Sequence, residues 1–143
     1  MKILLVEPGR AARPAEIHGE LHEMQKIVGG TIQALYPWED LAAVICNDEG
    51  KLMGLPLNRR LEDYDVIAGT FFICGIQGEN FCGLTEQQLQ KYQQMFRSPE
   101  RIIPVPDGFL CLRIRTRNPR HRPFGFEKGG IRPGAIRHPV PDS

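Results

Sequence analysis

The sequence has no apolar run of membrane-spanning length and no Cys-x-x-Cys pair. It also lacks a phosphate-binding loop, a dinucleotide glycine pattern, a Gly-x-Ser-x-Gly elbow and a His-Glu-x-x-His helix. The first absence argues against a membrane span. The second, with cysteines spread over Cys46, Cys74, Cys82 and Cys111, argues for reduced core thiols rather than a disulfide or zinc site. Cys82, in a polar stretch, is the one thiol with any prospect of reacting, and an inert role fits it as well. The remaining absences leave no recognised catalytic motif, so the expectation is a protein that is not an enzyme and needs no cofactor or metal. The N-terminus, MKILLVEP, is too short in its apolar part for a secretion signal, and a cytoplasmic location is expected.

Net charge is scarce overall, at +1, but it is unevenly distributed. Residues 1–96 hold 8 Lys/Arg against 13 Asp/Glu, and residues 97–143 hold 10 against 4. Eight of the 12 prolines also fall in the second part. The reading is a globular body over 1–98, a hairpin extension over 99–115 and a basic Pro/Gly/Arg-rich tail over 116–143, largely unfolded.

Along the body, Ile3–Val6 reads as a buried strand and Arg10–Ala15 as a loop. Ile17, Leu21, Met24, Ile27 and Val28 recur at helical spacing, predicting about three helical turns ended by Gly29-Gly30. His18 and His22 lie four apart but have no third ligand nearby, so solvent-facing side chains are expected. Thr31–Tyr36 and Ala42–Cys46 read as strands, and Asn47-Asp48-Glu49-Gly50 as a hairpin turn returning through Lys51–Met53. Val66–Cys74 is the longest apolar run and reads as the central strand. Gly69 inside it implies that something packs on bare backbone. Gln77–Gly83 reads as a loop. Thr85 is an N-cap with Gln88 completing a capping box, and Ser98-Pro99 ends that helix. Ile102–Val105 and Phe109–Arg115 flank a Pro106-Asp107-Gly108 turn, with Leu110, Leu112 and Ile114 forming the apolar face. The order β-α-β-β-β-β-α predicts an α+β fold, a largely antiparallel sheet with two helices packed on it.

Two regions carry candidate binding chemistry. Asn58-Arg59-Arg60 reads as a polar elbow before the central strand. Asn58 and Arg59 offer the donors that recognise an anion or a base; equally, Asn58 caps the loop and Arg59 pairs with Asp65 or Glu62. Thr70 is a candidate ligand hydroxyl or an ordinary strand residue. Tyr36 and Trp38 form either a stacking wall or a roof over the core, the latter preferred for Tyr36. In the tail, Arg113, Arg115, Arg117, Arg120, Arg122 and Lys128, with Phe124 and Phe126 interleaved, suit nucleic acid; they suit solvation or folding back on the acidic body equally well.

The segments IVGGTIQALYPWED, ICNDEGKLMGLPLNRRL, YDVIAGTFFICG and FCGLTEQQLQKYQQMF, in that order, closely resemble a family catalogued as domain of unknown function 3846, over about residues 1–97. The resemblance implies an origin in bacteriophages, plasmids or conjugative elements and carries no activity with it. That setting together with the Asn58/Arg59 elbow gives the expectation of a small non-enzymatic binding protein, acting in host takeover or counter-defence by sequestering an anionic, nucleotide-like ligand or by occupying a host protein. The alternative is a nucleic-acid-binding accessory factor acting through the tail. An interaction module with self-association or an exposed sheet edge is the third expectation.

Overall fold

The computed structural model describes residues 1–61 and 65–114. Its centre is a mostly buried antiparallel sheet whose strands are β1 (Lys2–Val6), β2 (Arg13–Glu16), β3 (Ile32–Leu35), β4 (Ala42–Asn47), β7 (Phe71–Gln77) and β8 (Asn80–Cys82). The path runs β2-β1-β7-β4-β3, with β8 pairing to β7. The expected α+β architecture is therefore present, and β7, the second half of the long apolar run, lies in the middle of the sheet.

Both faces of this sheet are covered, which explains why β4 and β7 are near-continuous apolar runs rather than alternating ones. Helix α1 (Leu21–Val28) lies on one face, with Met24 and Val28 packed among Ile3, Ala43, Ile45, Phe72 and Cys74. Helix α2 (Glu86–Met95) lies on the other, where Leu89, Tyr92 and Phe96 meet Leu4, Val6, Val44, Phe71 and Ile73. The same face also receives a hairpin of β5 (Leu57–Leu61) and β6 (Asp65–Ala68), through Leu61 and Ile67.

α2 begins as expected. The Thr85 hydroxyl accepts from the Gln88 N–H at 3.0 Å, and the Gln88 side chain accepts from the Thr85 N–H at 3.0 Å. α1 is shorter than the periodicity implies, because Glu23 accepts from the His18 and Gly19 backbone at 2.9 and 2.8 Å and fixes the entry to the helix at Leu21. Ile17 contributes to the same core from outside the helix. His18 and His22 are exposed, as expected.

Four other expectations need correction. Residues 13–15, placed in a loop, form β2 with Glu16, because backbone pairing to β1 does not depend on an apolar pattern. Residues 80–82 likewise form β8 against β7. Lys51–Met53 is not a return strand. The chain coils there, with the Met53 N–H donating to Glu49 O at 2.9 Å and the Leu55 N–H to Gly50 O at 3.0 Å. The long apolar run is two strands in two sheets, split at Gly69, where φ is +88°. A side chain at Gly69 would meet Leu55 Cδ1 at 2.8 Å, so Leu55 is what packs on the bare backbone.

The C-terminal hairpin forms from β9 (Glu100–Val105) and β10 (Gly108–Arg113), with β9 beside β5. Its inward face is the reverse of the expected one: Cys111 is buried, while Leu110 and Leu112 are half-buried. On that face Arg60 lies against the Cys111 thiol, and Arg113 stands opposite Glu100 across the hairpin. Residue 115, the last of the expected hairpin, and the expected tail over 116–143 lie outside the described residues.

Trp38 roofs the α2 side of the core, with its ring 4.5 Å from Tyr92 and 6.2 Å from Phe96. Tyr36 does not; it is exposed. Below Trp38, the Asp40 carboxylate accepts from the Tyr92 hydroxyl at 2.6 Å, the Leu41 N–H at 2.7 Å and Gln88 Nε2 at 3.2 Å. The Tyr92 hydrogen bond is the main influence holding Asp40 below the usual carboxylate range, against the opposing effect of burial. Because the folded-state value is depressed, the stabilisation is complete above the unfolded value of about pH 3.9 and disappears as pH falls through the folded one. The urea midpoint of the wild type should therefore fall further between pH 6 and pH 3 than that of Asp40→Asn. Equal falls would show that the carboxylate contributes nothing.

Candidate functional site

The elbow of the sequence reading is strand β5, and its two central polar residues are buried. The β5–β6 pairing shifts between Leu57 and Arg59: Leu57 faces Ala68 and Arg59 faces Ile67, leaving Asn58 as the extra residue of a bulge. A bulge sets two residues of one strand against one of its partner and re-aims a side chain. Here it accompanies two consecutive polar side chains in the interior, Asn58 0% and Arg59 1% exposed.

Their polar atoms meet the fold itself. Asn58 Nδ2 donates to Val6 O at 3.0 Å and Gly69 O at 2.8 Å, joining β1 to the bend before β7. Arg59 Nη1 donates to Asn58 Oδ1 at 2.8 Å. Arg59 Nη2 donates to Arg10 O at 2.6 Å and Phe96 O at 2.9 Å, tying the β1–β2 connection to the end of α2. Among the described residues only Arg59 Nε is buried without a partner. Burial pushes the guanidinium down to about 10, so it stays charged at neutral pH, with the carboxylate of Glu100 opposing the shift. Burial in turn raises Glu100, whose Oε1 accepts from the Arg60 N–H at 2.9 Å. Asp65, one of the partners considered for Arg59, ion-pairs with Lys51 at 2.8 Å; Glu62 lies outside the described residues. Thr70 is half-buried at the bend after Gly69.

A more open site lies along β6 of the same hairpin. Gln33 and Leu35 of β3, Cys46 of β4, the 47–52 coil and β6 from Asp65 to Ala68 enclose a cleft of about 390 Å³, within the range of about 300–1,000 Å³ typical of ligand sites. The coil is anchored by Asn47, whose side chain accepts from the Glu49 N–H at 2.7 Å and donates to Val28 O at 3.1 Å. Gly50 lets it approach β6, since a side chain there would stand 2.7 Å from Ala68 O.

The lining residues include the acids Asp48, Glu49 and Asp65 beside Lys51, whose ammonium Asp65 already engages. Cys46, at the buried inner end, is pushed up to about 11 by burial first and then by Asp48 and Asp65. The field in the cleft is therefore negative. At its rim Leu52 is 88% exposed and Met53 follows it. No three His, Cys, Asp or Glu side chains among the described residues are grouped to hold a metal ion.

None of these cleft residues was singled out as a site by sequence reasoning. The signal was present in Asn47-Asp48-Glu49-Gly50, two acids beside an Asn and a Gly, but a turn accounts for such residues equally well. Of the tail residues, Arg113 lies on β10, paired in register with Glu100; Arg115, Arg117, Arg120, Arg122 and Lys128 lie outside the described residues.

No described helix is long and apolar enough to cross a membrane. A family model described as Domain of unknown function (DUF3846) matches residues 1–97, a span that includes β1 to β8, both helices and the whole cleft. No curated protein and no solved structure matches the chain.

Proposed function

The chain belongs to the DUF3846 family, and from that premise we propose that it is a small non-enzymatic binding protein whose cleft receives a cationic part of its ligand. The observation that carries this reading is the cleft itself: about 390 Å³, three acidic residues in its lining, and a single lysine already paired to one of them. A field of that sign favours cations and repels phosphates. The Asn58/Arg59 pair supports an anionic ligand less well, because its donors bond carbonyl and amide oxygens of the fold and its exposure is near zero. In the mobile-element setting that the resemblance implies, the ligand is part of a host protein and occupying it serves takeover or counter-defence.

The test is an amide chemical-shift titration of the full chain at low salt, with argininamide and with ATP. Argininamide should perturb the amides of Cys46, Asp48, Glu49 and Asp65, and this response should weaken with salt. Shifts around Asn58 and Arg59 on adding ATP, with no response to argininamide, would overturn the reading.

A further inference from the structure

We propose that the free edge of β3 and the adjoining cleft bind an extended basic polypeptide by strand addition, an inference that rests on the cationic-ligand reading of the same cleft. β3 ends the sheet path and pairs only with β4 among the described residues. The outward-facing groups follow from its register. Thr31 O accepts from the Asp48 N–H at 2.9 Å, so Thr31 faces β4. Antiparallel pairing alternates, so Gln33 and Leu35 also face β4, and Ile32 and Ala34 turn their N–H and C=O groups away from the sheet. That leaves two donors and two acceptors in the geometry a sixth strand on the path would use.

The side chains set what that neighbour is. Successive residues of an added strand point to opposite sheet faces. One set falls on the face carrying Gln33 and Leu35, which line the cleft with Asp48, Glu49 and Asp65. Arginine or lysine at alternate positions satisfies that field. Exposed Leu52 at the rim offers contact to the aliphatic stem of such a side chain. A duplex or a folded basic surface would meet the carboxylates without using the backbone edge, so the combination favours an extended chain. Pro37, after β3, limits the length of the added pairing to about four residues.

The experiment is hydrogen exchange, read at each amide of the full chain, with acetyl-Val-Arg-Val-Arg-Val-Arg-Val-amide as probe and its Glu-for-Arg counterpart as control. The Arg peptide should slow exchange of the Ile32 and Ala34 amides at least tenfold and shift the cleft amides; the Glu peptide should do neither. The Asp48→Lys/Glu49→Lys variant, with both changes at exposed positions, should lose the protection. Cleft shifts without protection of Ile32 and Ala34 would overturn strand addition while leaving the cationic-ligand reading intact. No response to either the peptide or argininamide would overturn both. Ile32 and Ala34 amides already protected without peptide would also overturn the proposal, since the edge would then be occupied by this chain or a second copy.

Discussion

Arg59→Ala is expected to destabilise the fold by about 2–5 kcal/mol, as oxygens in the interior lose their donors and a void replaces the long side chain. The substitution removes the donors to Asn58 Oδ1 and Phe96 O, both buried, and to Arg10 O, which is partly buried. A buried acceptor left without a donor costs about 1–3 kcal/mol, and partial collapse of the site offsets some of the total. Arg59→Lys should recover little, because one ammonium on a flexible stem cannot reproduce a planar fork directed at three oxygens. Chemical unfolding in urea measures both variants, with the midpoint and slope read together. An Arg59→Ala protein as stable as the wild type would show that the residue is not structural and would restore it as a candidate for ligand contact.

Gly50→Ala should cost about 1–3 kcal/mol, as overpacking against a rigid neighbour does. The new methyl would lie 2.7 Å from Ala68 O and 3.3 Å from Ala68 Cβ. The first neighbour is backbone of the β5–β6 hairpin, where Ala68 pairs with Leu57, so it cannot rotate aside. The 47–52 coil must move outward instead, widening the cleft on the side of Asp48 and Glu49. The expected outcome is a lower urea midpoint together with weaker argininamide binding. A lower midpoint with unchanged binding would mean that the coil is not a wall of the site.

The capping box at Thr85 and Gln88 was legible because both its residues act locally. So were β4 and β7, whose apolar runs are the direct signature of strands buried on two faces. The division at Gly69 was not, since both halves of the run are buried strands and only the glycine marks the change of sheet. Asn58 and Arg59 read as a polar elbow and a candidate binding site because polarity ordinarily means exposure. What buries them is a bulge and a set of carbonyls 11 to 52 residues away, none visible from local pattern. The cleft was hidden for a related reason. Gln33, Asp48 and Asp65 meet only once β3, the coil and β6 are assembled, while a short edge strand and a coil give weak signals individually.

The most direct measurement is isothermal titration of the alternating Val/Arg peptide into the full chain, wild type beside Asp48→Asn/Glu49→Gln. Both carboxylates are exposed, so the variant should keep its urea midpoint. It is expected to bind at least tenfold more weakly, with a flatter dependence on salt. Affinity and salt dependence equal to those of the wild type would contradict the placement of the site in this cleft.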